Sequence, residues 1–385
     1  MVSSLISFLL RGLSIYRWSN FPRIERPTSM DHGAFSLHVA YLVADLVEEK
    51  TGKKFDKLDL FKRALFSIFF NCAYSDISSD VKARVKQLRP DIYAQLCHKM
   101  HKGVLSWKLP KNIQTDLEAF TTKLNSEKRD VEADLFSYSK LVSAYYEALF
   151  SARVYPEVYA GPIEVIRQRL KEPRFADFRA VLDVEKDMKS VRFILSVRRL
   201  ESAFRWNRLK RSYPVSVMSH LFIVATLSYF LFKIEGKSDE DVTEAILRSM
   251  YHDVPEAITG DIVTPTKKAA TGLEELITEI EEEFVLESML VHLEGHSFEP
   301  VYAQRLLAPW GDDLGKLVKQ ADHLCAFLEA RIEEIDNPTG EQFKRSREYV
   351  ALKIREGGYK SAKLLLEDFD EGLRIYMSDS SIGMS

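Results

Sequence analysis

Residues 249–262 read SMYHDVPEAITGDI, and this stretch sets a histidine, two aspartates and a glutamate (His252, Asp253, Glu256 and Asp261) among apolar neighbours. A buried carboxylate is costly unless it is paired or bound to a cation. Three of them beside one imidazole predict that a cation is held nearby. The same stretch has an echo. Residues 69–81, FFNCAYSDISSDV, align with 250–262 and put Asn71 opposite His252, Cys72 opposite Asp253 and Ser75 opposite Glu256.

Further matches follow in the same order. Arg17-Trp18 faces Arg205-Trp206, Val39-Ala40 faces Val224-Ala225, and Asp134 faces Asp322, all at lags between 181 and 188 residues. An internal repeat of this period predicts a duplicated domain. Opposite His220 the first copy offers Phe35 or His32, depending on which spacing is kept. On either alignment it has lost the His-Asp doublet, so the first copy is not expected to hold a metal by the same route. The charged segment near 174–190 marks the expected boundary, giving tandem domains over 1–185 and 186–385.

Each domain is expected to be helical. Apolar residues recur at helical spacing in HVAYLVADLVEEK, DLFKRALFSIFF and LVKQADHLCAFLEARIEEI, and alternating runs bounded by hairpin turns are scarce. An all-α fold of two tandem helical bundles follows. With 46% hydrophobic and 29% charged residues, the composition is that of a soluble globular protein. The net charge of −3 offers no bulk attraction to a nucleic acid polymer or an acidic membrane. Three cysteines without a CxxC pair fit a reducing, cytoplasmic setting. HLFIVATLSYFLF is the most apolar run, but its 13 residues fall short of the roughly 20 that span a bilayer, so a buried helix is expected.

Four candidate ligands stand in the second copy: His220, His252, Asp253 and Asp322. Two imidazoles and two carboxylates suit one divalent transition ion, Co, Mn, Fe, Ni or Zn, and not Ca, which takes oxygens only. Adjacent helical residues diverge by about 100°, so His252 and Asp253 can share an ion only from a helix edge or end. Glu256, one turn beyond His252, can reach a water activated by that ion.

The ordered set RW, SH, MYHDVPEAITGDIVTPTK and LVKQADHLCA resembles the HD-domain metal phosphohydrolases, and within them the bacterial 5'-deoxynucleotidase family. The close match runs from Arg205 to about Glu334, with a weaker echo in the first half. The resemblance implies that His220, His252, Asp253 and Asp322 bind the metal and that Arg205 holds the phosphate of a small nucleotide. It also implies that Glu256 orients the attacking water or manages the leaving-group proton. Asp261 would accept from the sugar 3'-hydroxyl, and Trp206 would disfavour a 2'-hydroxyl by steric contact. Members of this kind are homodimers of one-copy chains, so the duplicated chain is expected to fold as an intramolecular pseudo-dimer.

Other readings stand beside these. Because Arg17-Trp18 persists in the first copy, Arg205-Trp206 can serve packing, and Asp261 can serve as a cap. An HD triphosphohydrolase, a cyclic-nucleotide phosphodiesterase and a non-catalytic nucleotide-binding regulator are the alternatives in function. HLEGH, with His292 and His296, fits an exposed loop end better than a second metal site.

Overall fold

The computed structural model describes residues 3–73, 77, 79–107, 109–125, 129–207, 209–212, 214–260, 262, 266, 269–337 and 341–378. Among these residues there is no strand beyond two isolated bridges. The first half holds α1 (Ser3–Ser14), α2 (Ser29–Thr51), α3 (Lys57–Ala73), α4 (Ser79–Leu88), α5 (Pro90–Leu105), α6 (Lys111–Asn125), α7 (Val131–Ala152), α8 (Pro156–Leu170) and α9 (Ala176–Arg179). The second holds α10 (Lys189–Arg198), α11 (Val217–Ile234), α12 (Asp239–Tyr251), α13 (Glu256–Thr259), α14 (Leu273–Ser288), α15 (Glu299–Leu307), α16 (Asp313–Asp336), α17 (Glu341–Glu356) and α18 (Lys360–Ser378).

The two halves follow one plan. Helix α2 packs on α3 and α7, while α11 packs on α12 and α16. Helices α2 and α11 also pack on each other, so one continuous apolar core runs through both halves. This is the intramolecular pseudo-dimer. Helix α11 is apolar enough to cross a membrane by length and composition, but 89% of it is buried inside the protein. Its apolarity is that of a core helix contacted on every side.

The N-termini of the two central helices meet. Thr28 caps α2 in a reciprocal capping box with Asp31, and Ser216 caps α11. Asp31, 4% exposed, also accepts from the Ser216 and Ser219 hydroxyls. One carboxylate thereby faces the positive ends of two helices, which favours its charge. At the opposite seam α1 packs on α18, the first helix of one copy against the last of the other. Gly372 permits this approach, since a Cβ there would lie 2.5 Å from Ile6 Cβ.

The structure corrects the register of the repeat. The bridges Tyr16–Thr28 and Phe204–Ser216, and the left-handed Trp18 (φ 53°) and Trp206 (φ 59°), keep the lag of 188 residues early in each copy. His32, not Phe35, therefore stands opposite His220. Further on, α7 and α16 both open on aspartate caps, Asp130 and Asp312. Trp18 donates to Glu147 and Trp206 to Glu329. These pairs set the later lag at 182, so Lys140, and not Asp134, is the counterpart of Asp322. Asp134 instead pairs with Arg129 and Arg174. The physical reason is length: α2 runs 23 residues where α11 runs 18, and residues 52–56 follow it where only 235–238 follow α11, so the next helix of the first copy is displaced by six.

Candidate metal centre

Three helices supply the centre. His220 lies on α11, fully buried, and Asp322 lies mid-way along α16. Helix α12 stops at Tyr251, so His252 and Asp253 project from its end, as their adjacency requires. His220 Nε2 is 3.4 Å from Asp253 Oδ2 and 3.3 Å from Asp322 Oδ1, and His252 Nε2 is 3.3 Å from Asp253 Oδ2. The donor atoms of His220, His252 and Asp253 all fall within 4.8 Å of one another. Asp322 joins this group through His220.

The ring nitrogens are oriented from behind. His252 Nδ1 lies 2.8 Å from the Ser249 carbonyl, which can only accept, so Nδ1 carries the proton. His220 Nδ1 lies 3.2 Å from Cys325 Sγ and 3.5 Å from Glu329 Oε1. Both rings thus turn Nε2 inward, and both Nε2 atoms are buried without a hydrogen bond. A carboxylate behind a ligating histidine is the usual support for a metal-bound imidazole.

Electrostatics agree. Burial opposes ionisation of Asp253, yet His252 and His220 hold its pKa well below the usual carboxylate range. Burial likewise opposes ionisation of Asp322, and Lys319, 2.7 Å away, with His220 outweighs it. Burial and Arg205 disfavour a charged His220, but Cys325 and the Asp253 and Asp322 carboxylates raise its pKa well above the ordinary imidazole value. A pocket that draws a proton onto a buried imidazole is short of positive charge. These donors fit a divalent transition ion.

Arg205 lies at the edge, its Nη1 3.1 Å from Asp253 Oδ2 and its Nε 3.5 Å from Glu329 Oε1. Glu256 opens α13 after the turn, close enough to add to the field that raises Arg205. Trp206 gives its indole N–H to Glu329 at 2.6 Å and rests its ring on Phe343. Asp261 and Lys267 lie outside the described residues. His296 pairs with Glu49 at the end of α2 and stacks on Phe298, away from the centre.

A model of the family described as 5'-deoxynucleotidase YfbR-like matches residues 5–182 and again residues 192–373. The chain belongs to the YfbR-like family. The 5'-deoxynucleotidase YfbR of Escherichia coli O1:K1 is 28% identical over 152 residues, covering 38% of this chain and 75% of that protein. The one from Salmonella arizonae is 27% identical over 173 residues, covering 44% and 85%. Among solved structures, an HD-domain phosphohydrolase from Listeria innocua is 22% identical and aligns with 49% of this chain and 90% of its own, with a TM-score of 0.40.

Glu329 is the residue that motif reading missed in this YfbR-like chain. It is 2% exposed and joins His220, Trp206, Arg205 and Arg211. A signal for it existed: a glutamate stands at the matching place in both copies, Glu147 and Glu329, once the lag of 182 is applied.

Proposed function

We propose that the C-terminal half is a divalent-metal phosphomonoesterase that releases phosphate from deoxyribonucleoside 5'-monophosphates. The observation that carries this reading is the pair of buried, unbonded Nε2 atoms of His220 and His252 facing Asp253 and Asp322. The names of the Escherichia coli and Salmonella relatives support the substrate class.

His220, His252, Asp253 and Asp322 would hold the ion. When bound, such an ion draws charge from the phosphoryl oxygens and acidifies a coordinated water. Arg205 binds the phosphate with its guanidinium fork, held in place by Glu329 behind and Asp253 beside it. Lys319 fixes the rotamer of Asp322. Glu256 takes the proton of the attacking water and returns it to the 5'-oxygen of the departing nucleoside. Asp261 accepts from the 3'-hydroxyl. Trp206 has its indole N–H committed to Glu329, so it acts on substrate choice by steric contact alone.

The test is phosphate release from all deoxy- and ribonucleoside monophosphates by chelator-stripped protein reloaded with Mn, Co or Zn. Turnover of deoxynucleotides, abolished by chelation and poorer with ribonucleotides, is expected. Failure with every deoxynucleotide and every metal refutes the reading.

A further inference from the structure

One cation at the metal centre is held by more than a carboxylate. Lys319, on α16 one turn before Asp322, gives an N–H to Asp322 Oδ2 at 2.7 Å and sets its ammonium over the Trp310 ring, 4.3 Å from the centroid. An ammonium has three donors, and this is its one hydrogen bond among the described residues, so two N–H groups are left. The Lys319 side chain is 41% exposed, against 12% for Asp322 and 16% for Arg205, so a solute can reach it.

The indole beneath it is fixed without any ligand. Trp310 lies in the turn before α16, T-shaped against the His252 ring with centroids 5.1 Å apart. Gly315 lets that turn press on the helix, since a Cβ there would lie 2.6 Å from the Pro309 carbonyl oxygen and 2.7 Å from Trp310 Cα. Arg248 ties the same turn to α12 through both oxygens of Asp312, at 2.6 and 2.9 Å. The ring quadrupole attracts a cation placed over its face. This cradle belongs to the second half alone. At the lag of 182, Ser137 stands opposite Lys319 and Lys128 opposite Trp310, and Ser137 turns its hydroxyl to the Ala133 carbonyl of its own helix.

The charges call for a second cation. Asp253 and Asp322 balance a divalent ion, and each carries a cation on its Oδ2, Arg205 on Asp253 at 3.1 Å and Lys319 on Asp322. A phosphate dianion adds two negative charges to that set. Arg205 answers at most one of them, and it is shared with Glu329. We propose that Lys319, cradled by Trp310, is a second phosphate-binding residue, which gives its spare N–H groups to one phosphate oxygen of the nucleotide while Arg205 holds another. An arginine fork with a lysine point charge suits the oxygens of a terminal phosphate. The inference rests on the phosphomonoesterase reading above and adds to it the group that meets the second charge of the substrate.

Calorimetric titration of zinc-loaded Glu256→Gln protein, which binds without turnover, tests it with dAMP and inorganic phosphate as separate titrants. Adding Lys319→Met should weaken both ligands by roughly ten- to a hundredfold, the worth of a hydrogen bond to a charged group. Lys319→Arg should keep most of the affinity, and Trp310→Leu, which fills the space without a π face, should lose part of it. Zinc affinity, read by chelator competition, should not fall in Lys319→Met, because that variant removes a positive charge beside a ligand. Unchanged affinity for dAMP and phosphate in Lys319→Met overturns the proposal and leaves the phosphomonoesterase reading intact. A loss of zinc affinity large enough to account for the loss of dAMP also overturns it, since Lys319 then only supports Asp322. Phosphate binding that depends on Lys319, with no binding of dAMP, upholds the proposal and sinks the substrate reading. Binding of neither ligand overturns both.

Discussion

Replacing Glu329 by Gln separates what supports the metal centre from what merely fills the core. The carboxylate is 2% exposed and lies 2.6 Å from Trp206 Nε1, 3.5 Å from His220 Nδ1, 3.5 Å from Arg205 Nε and 3.6 Å from Arg211 Nη1. Gln keeps an oxygen for the indole but removes the charge. Arg205 and Arg211 retain Asp253 and Glu333, so neither guanidinium is stranded. The stability loss should therefore sit at the low end for a broken buried ion pair, about 3 kcal/mol. The amide can also present N–H to His220 Nδ1, which favours the tautomer with the proton on Nε2 and removes the inward lone pair. Loss of such a supporting group weakens a metal site by roughly ten- to a hundredfold. Zinc competition against a fluorescent chelator reads the affinity, and urea denaturation reads the stability. Glu147→Gln is the internal control: it should cost similar stability and leave zinc affinity unchanged. Wild-type zinc affinity in Glu329→Gln, or an equal loss in both variants, refutes the reasoning.

Three further outcomes are expected. Glu256→Gln should lower kcat by roughly a hundred- to ten-thousandfold, the usual range for a lost general base, while zinc competition shows the ion retained. Asp31→Ala should destabilise the fold by about 2–3 kcal/mol in urea, because the reciprocal half of the α2 capping box is lost and the buried Ser216 and Ser219 hydroxyls lose their acceptor. Glu147 gives a pH dependence: burial opposes its charge, but Arg17 and His32 bring its pKa from 4.5 down to about 2. A depressed carboxylate contributes stability that is fully present above its unfolded pKa and is lost as pH falls from 4.5 through about 2. Glu147→Gln should flatten the decline of urea stability across that window.

The sequence made the helical class and the His252-Asp253 doublet legible because each is a local signal. Helical periodicity survives in any one segment, and His252-Asp253 needs only a helix end, which the stop of α12 at Tyr251 provides. Glu329 was not legible from its surroundings, since an acidic residue near the end of a charged helix usually reads as a solvated face. Its role appears only when α11 and the segment bearing Arg205 are folded against α16. Trp206 is a similar case: the sequence shows an aromatic beside an arginine, and only the packing shows the indole N–H held by Glu329.

The misplaced counterpart of Asp322 shows how a repeat can mislead while being real. Asp134 and Asp322 share a lag of 188, the value that holds at Arg17 and Arg205, and both lie in similar apolar helical text. The true offset there is 182, and six residues turn an α-helix by about 600°, which is a net 240°. Asp134 consequently emerges on another face, bound to Arg129 and Arg174, while Lys140 takes the place in the repeat that corresponds to Asp322. An aspartate at that point would have left the first copy a vestigial acidic site. A lysine stands there instead, and with Asn71 and Cys72 opposite the His-Asp doublet the first copy keeps the wall built around Glu147 without the donor set of the second.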